Sequence, residues 1–118
     1  MRIVLTTFPD ERTAHRVGRK LLAARLAACL TTLPARSVYW WKGAMEESSE
    51  CLALLKTTAK GAPALVRALA AAHPYEVPEI VTLRPEAVSA PYREWLEATV
   101  GRTAPTVSPR SRGARAPR

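Results

Sequence analysis

The apolar positions change period along the chain, and the changes mark out its elements. Residues 2–8, RIVLTTF, form an apolar, β-branched run that stops at Pro9-Asp10, a turn followed by a helix cap. Beyond it Ala14, Val17, Leu21, Ala24 and Ala28 recur at three- and four-residue spacing, while Arg12, Arg16, Arg19 and Lys20 fill other positions. That spacing predicts a surface helix with one buried stripe, capped by Asp10, with Glu11 at the positive end of its dipole. ACLTTLP predicts a strand ending near Pro34, and SVYWWKG either continues it past a kink or begins another. Residues 43–49 read as a connection, and ECLALLKTT, residues 50–58, as a strand antiparallel to Tyr39-Trp40-Trp41. A second helix opens at Gly61 and Pro63, turns Leu65, Leu69 and Ala72 to one side, and ends at His73 because Pro74 disfavours helical dihedrals there. Residues 78–83 form the fourth strand. Ser89 then caps a third helix that runs to Val100 with Tyr92, Trp95, Leu96 and Thr99 on a mixed face.

The order is βαββαβ with a terminal helix, an α+β class without internal repeats. Right-handed crossovers place both main helices on one face of a four-stranded antiparallel sheet. The other face should then show polar residues at every second strand position. It does not. Cys51, Ala53 and Leu55 alternate with Leu52 and Leu54, Ile3 and Leu5 with Val4, and Ile80 with Val81 and Leu83. Both faces are apolar, the third helix is too short to cover the second, and the pattern therefore predicts an oligomer in which further copies of the chain cover it. Periodicity does not count the copies.

Composition narrows the class. At 118 residues, 47% apolar, the chain predicts one domain over residues 1–100. No stretch approaches the roughly 18–20 uncharged apolar residues of a membrane span. The first residues, MRIVLTTFPDE, enter a strand without the features of a signal peptide, which predicts a cytoplasmic location. Cys29 and Cys51 lie far apart and outside any CxxC spacing, as reduced core residues do. The net charge of +8 is uneven: residues 101–118 carry Arg102, Arg110, Arg112, Arg115 and Arg118 with no acid, leaving +3 for residues 1–100. This Pro- and Arg-rich segment has almost nothing apolar and is predicted to be a disordered, solvated tail.

Three chemistries can be weighed against this order. An RNA-recognition domain shares it, but reads bases with aromatics on its third strand, and ECLALLKTT has none. Tyr39, Trp40 and Trp41 stand on another strand and read as interface or core aromatics, so a nucleic-acid partner is not expected. For nucleophilic catalysis Cys29 lies in an apolar run that favours the inert thiol, and His15 falls among basic residues on the exposed side of its helix. No catalytic motif is present, and no enzymatic activity is expected. The third candidate is HPYEVPEI, residues 73–80, which concentrates an imidazole, a phenol and two carboxylates. His73, Glu76 and Glu79 are metal donors, with Cys29 or Cys51 available from the sheet. Alternatively, His73 caps the last carbonyls of the second helix while Tyr75, Glu76 and Glu79 make contacts between subunits, with Lys56 as a charge partner. The residues alone favour the structural alternative.

Taken together, VLTTFPDE, RLAACL, SVYWWKG, LLKTT and HPYEVPEI resemble, in order, the blocks of the CutA family of divalent-cation tolerance proteins, over residues 2 to about 98. The resemblance implies a ferredoxin-like βαββαβ fold related to the PII signalling proteins, assembled as a tight homotrimer. It implies a part in the response to copper and other divalent cations, or a PII-like sensor holding a small ligand in intersubunit clefts. A purely structural trimer is the alternative. Some relatives bind copper, and animal relatives are associated with anchoring of acetylcholinesterase. In the copper-binding bacterial members the ligands are a first-strand cysteine and two adjacent histidines before a PY motif. The matching positions here are Thr6, Ala72 and His73, so one good ligand per subunit survives. Cys29 matches a family position outside that set. The expected metal residue is therefore His73, and Cys29, Lys56, Tyr75, Glu76 and Glu79 are the expected ligand-binding residues; copper or another divalent cation is the only cofactor implied.

Overall fold

A computed structural model describes residues 1–101; the tail expected over 101–118 lies outside the described residues beyond Gly101. The elements are β1 (Arg2–Phe8), α1 (Glu11–Ala23), β2 (Cys29–Trp41), β3 (Ala44–Thr57), α2 (Ala62–Ala72), β4 (Ile80–Leu83) and α3 (Ala90–Thr99). The strands form one sheet in the order β2-β3-β1-β4, with every neighbouring pair antiparallel. Among the described residues this is the α+β arrangement expected from the sequence.

Helices α1 and α2 pack on one face of the sheet. Val4, Phe8, Ala53 and Leu55 of the strands meet Ala14, Val17 and Leu21 of α1 and Leu65 and Leu69 of α2 in one buried core. The register fixes which residues are left over. Phe8 pairs with Cys51 and Val4 with Leu55 on the helix side, so Leu5, paired with Leu54, and Ile3, paired with Lys56, point the other way. Leu33, Val81 and Leu83 stand on this second face at 43%, 41% and 41% exposure. The sheet is apolar on both sides, and its own helices cover one.

Several boundaries depart from the sequence pattern. The buried stripe of α1 includes Ala14, Val17 and Leu21, but the helix ends at Ala23, before Ala28. Arg25 adopts φ 62°, its N–H reaches the Leu22 carbonyl, and the Leu26 N–H reaches that of Leu21 at 3.1 Å. This is a Schellman-type stop with arginine where glycine is usual, so the usual marker is missing. At the other end Asp10 Oδ1 accepts from the Thr13 N–H at 2.7 Å, the cap the sequence predicts.

The second departure is larger. β2 runs through Pro34 without a break, because it is an edge strand and the missing N–H leaves no ladder bond unmade. Residues 44–49, expected in a connection, belong to β3; the real turn is Lys42-Gly43, with φ of 50° and 82°. Two positive φ values in a two-residue loop match the twist of the flanking strands. β1 stops at the level of Cys51, so the pairs from Ala35–Glu50 to Trp41–Ala44 project beyond it as a two-stranded arm.

α2 ends as predicted, with His73 at ψ 137°. β4 is four residues, shorter than the expected 78–83. α3 begins after Ser89, whose side chain makes no capping bond, and buries Leu96 completely.

Candidate functional site

The segment after α2 crosses the end of β1 and reaches the face of the sheet without helices. His73 anchors it. Its Nδ1 accepts from the Tyr75 backbone N–H at 3.1 Å, so the ring proton is on Nε2, which donates to the Thr7 carbonyl at 2.8 Å. The Thr6 hydroxyl lies 3.1 Å from the same nitrogen. The ring stacks on Phe8, with centroids 4.6 Å apart and planes 9° from parallel. Burial lowers the pKa of His73 below its ordinary value, outweighing the Thr7 bond and the Glu50 charge, which act in the opposite direction. His73 is therefore a neutral imidazole bracing two segments. It does not cap the α2 carbonyls, because both ring nitrogens are committed to β1 and to Tyr75.

Tyr75 carries the chain onto the far face. Its hydroxyl donates to Glu50 Oε2 at 2.8 Å, and its ring tilts against His73 with centroids 5.0 Å apart. Burial and the adjacent Glu50 both push the phenol upward, so it remains a donor. Glu50 experiences the opposite balance. Burial raises its pKa, but hydrogen bonds from Ser37, Tyr75 and Thr7 outweigh it and leave the carboxyl below its ordinary value. A half-buried carboxylate thus stands ionised where the projecting arm begins.

Between this network and the arm lies an open groove of about 650 Å³. Glu50, Glu76 and Glu79 line it with Tyr39, Trp40, Trp41 and Tyr75. Tyr39, Trp40 and Trp41 are exposed at 40%, 71% and 37%, so they are groove and arm residues and not core.

The expected ligand residues divide into two places. Tyr75, Glu76 and Glu79 meet at the groove, beside His73. Cys29 and Lys56 do not join them, because the β2–β3 register pairs these two at the opposite end of the sheet. There Lys56 Nζ donates to the Thr31 hydroxyl and lies 3.8 Å from Cys29 Sγ, so that thiol has a cationic neighbour instead of the apolar setting expected. Both cysteines are free, and only Cys51 is buried. His15 faces the sheet 3.2 Å from the Thr32 hydroxyl and 3.7 Å from Glu11, not solvent alone. Sequence reasoning missed Glu50, Ser37 and Thr7, which come to Tyr75 only through strand register; the change from polar arm to apolar strand at Glu50 was the available signal.

The copper set implied by the resemblance can be tested against these contacts. Thr6 and His73 do meet, but as a hydroxyl and an imidazole whose two nitrogens are already bonded, and Ala72 offers no donor. Among the described residues no group of three His, Cys, Asp or Glu side chains is placed to hold a metal ion. The described residues of this chain do not fit that copper set.

A four-stranded antiparallel sheet in this order, with two crossover helices on one face, is a ferredoxin-like α+β sandwich of the PII type. Residues 2–99 match the family model for the CutA1 divalent ion tolerance protein. The chain is 44% identical over 100 residues to the divalent-cation tolerance protein CutA of Thermotoga maritima, covering 85% of this chain and 99% of that one. The Citrobacter koseri protein of the same description is 42% identical over 99 residues, covering 83% and 86%. Among solved structures, CutA1 from Pyrococcus horikoshii superposes with a TM-score of 0.83 at 37% identity, covering 86% of this chain and all of that one. The Thermus thermophilus divalent cation tolerance protein gives 0.80 at 40%, with the same coverage. The periplasmic divalent cation tolerance protein CutA of Archaeoglobus fulgidus gives 0.81 at 28%. The chain belongs to the CutA family of divalent-cation tolerance proteins.

Proposed function

We propose that this chain acts in the response to divalent cations as a non-catalytic, cytoplasmic homotrimer that holds a small ligand in grooves at its subunit seams. The observation that supports the reading most is the uncovered apolar face that ends at the groove between Tyr75 and the arm. A face bearing Ile3, Leu5, Leu33, Leu54, Val81 and Leu83 is costly to leave wet at roughly 25 cal/mol per Å². Closing it with further copies brings other subunits beside the polar groove. The proposed work of the groove is recognition: ionised Glu50 stands in its wall, held by the Tyr75 hydroxyl at 2.8 Å. Copper remains the metal to test, with His73 as its ligand, although binding must first displace the Thr7 or Tyr75 contact of the ring.

Expression in a bacterium lacking its own CutA, challenged with copper, tests this function. The parent chain is expected to restore tolerance, and Glu50→Gln to lose it while remaining assembled. Calorimetric titration of Cu(II) into the parent and His73→Ala separates metal from ligand: equal binding by both removes His73 as a metal residue. No gain of tolerance from a well-folded parent contradicts the functional reading.

A structural scaffold is the second reading, favoured by the full use of both His73 nitrogens within the fold. Under it Glu76→Ala and Glu79→Ala reduce thermal stability without altering tolerance. Under the sensor reading they leave assembly intact and tolerance falls.

A further inference from the structure

We infer that the groove beside Tyr75 is a receptor for guanidinium groups and that its occupant is the chain's own arginine-bearing segment, residues 102–118. The inference rests on reading the groove as a ligand cleft and names the chemistry of that ligand. Three carboxylates, Glu50, Glu76 and Glu79, line it, and among the described residues no lysine, arginine or histidine does. An anionic ligand would meet only like charge. A bare metal ion would lack a set of three close donors among the described residues. Carboxylates beside exposed aromatic faces suit a planar organic cation, which stacks on a ring while its N–H fork bonds an acid.

The arm already makes both kinds of contact. Lys42 Nζ lies 5.5 Å from the centroid of Trp41, and Arg36 places Nη2 and Nε at 2.7 and 3.3 Å from Glu47 Oε2. These contacts show that the aromatic and acidic groups of this hairpin accept cations within the fold itself. Glu50 adds an acid held in place by the Tyr75 hydroxyl at 2.8 Å.

Charge and reach identify the occupant. Residues 102–118 contain five arginines and no acid. The described chain ends at Gly101, whose N–H donates to the Arg25 carbonyl at 2.8 Å, at the end of the sheet away from the groove. Seventeen residues span at most about 60 Å when extended. The longest dimension of the described structure is 52 Å. The segment is therefore long enough to reach the groove of its own subunit or of a neighbour. Covalent attachment raises its effective concentration to roughly the millimolar range, so weak contacts between single arginines and carboxylates suffice.

The test uses the full-length chain carrying Arg110→Gln, Arg112→Gln, Arg115→Gln and Arg118→Gln, which vacates the groove without shortening the protein. A synthetic peptide of residues 102–118 is titrated into it by calorimetry at low salt. We expect one peptide per subunit, at least tenfold weaker binding when Glu76→Gln and Glu79→Gln are added, and at least tenfold weaker binding to the parent chain, whose own segment competes. Absence of binding to the vacated groove, indifference to the two glutamates, or equal affinity for the parent overturns the inference. Spermidine, titrated in parallel, separates the two levels: if it binds through Glu76 and Glu79 and the peptide does not, the cleft stands and self-docking fails. A single-stranded oligonucleotide bound by the parent through the four arginines, with no peptide binding in the groove, assigns the segment to nucleic acid and likewise overturns the inference.

Discussion

The Tyr75 hydroxyl donates to Glu50 Oε2 at 2.8 Å and thereby ties the loop after α2 to the base of the projecting arm. One atom pair joins the helical layer, through His73, to the far face of the sheet. Replacing Tyr75 with Phe leaves the ring packing and removes the donor. Hydrogen bonds to charged groups contribute about 1.5–3 kcal/mol, and partial exposure of Glu50 reduces this, so a loss of about 1 kcal/mol is expected. Denaturant midpoints at constant m-value provide the measurement; an unchanged midpoint would show that Ser37 and Thr7 hold Glu50 without Tyr75.

Acid should weaken this same region. The fold lowers the pKa of His73, so below its ordinary 6.5 the unfolded chain binds a proton that the folded chain resists, and stability falls as pH drops through that value toward the folded pKa. Glu50 acts in the same direction at lower pH: its lowered pKa supports the fold above the unfolded carboxyl range, and that support is lost as the group protonates. Unfolding at about pH 8 and about pH 5.5 should show the lower midpoint at the acid end, and His73→Gln should remove the part of the slope that begins near 6.5. A flat or rising profile toward acid contradicts the neutral, half-buried imidazole.

The arm depends on one backbone geometry. Gly43 sits at φ 82° in the two-residue turn, and a side chain there meets no neighbouring atom within 4 Å. Gly43→Ala therefore isolates backbone strain from packing and should cost about 1 kcal/mol. Thermal unfolding checks it. No change in Tm would show that the arm contributes little to cooperative stability, as a hairpin detached from the core would.

Period and punctuation made most of this fold legible. The alternation of β1 and β3, the α1 stripe and the Pro74 stop all depend on local geometry that sequence spacing records. What escaped was set by distant partners. Arg25 ends α1 in a conformation usually marked by glycine, and only the Leu21 and Leu22 carbonyls reveal why. Pro34 looked like a strand end because its tolerance depends on β2 being an edge strand. The site was half legible for the same reason. HPYEVPEI stood out by composition, but its carboxylate partner Glu50 and its separation from Lys56 and Cys29 follow from the β2–β3 register. The apolar second face was fully legible, since strict alternation assigns every strand residue to a side.

That face carries the central claim, and sedimentation equilibrium of the full chain at micromolar concentration tests it most directly. The expected particle has three times the 12.9 kDa mass of the chain. Leu54→Glu, in the middle of the uncovered face opposite Leu5, is expected to dissociate that particle while the helix-side core stays folded. A stable 12.9 kDa species with native secondary structure, unaffected by that substitution, would contradict the claim.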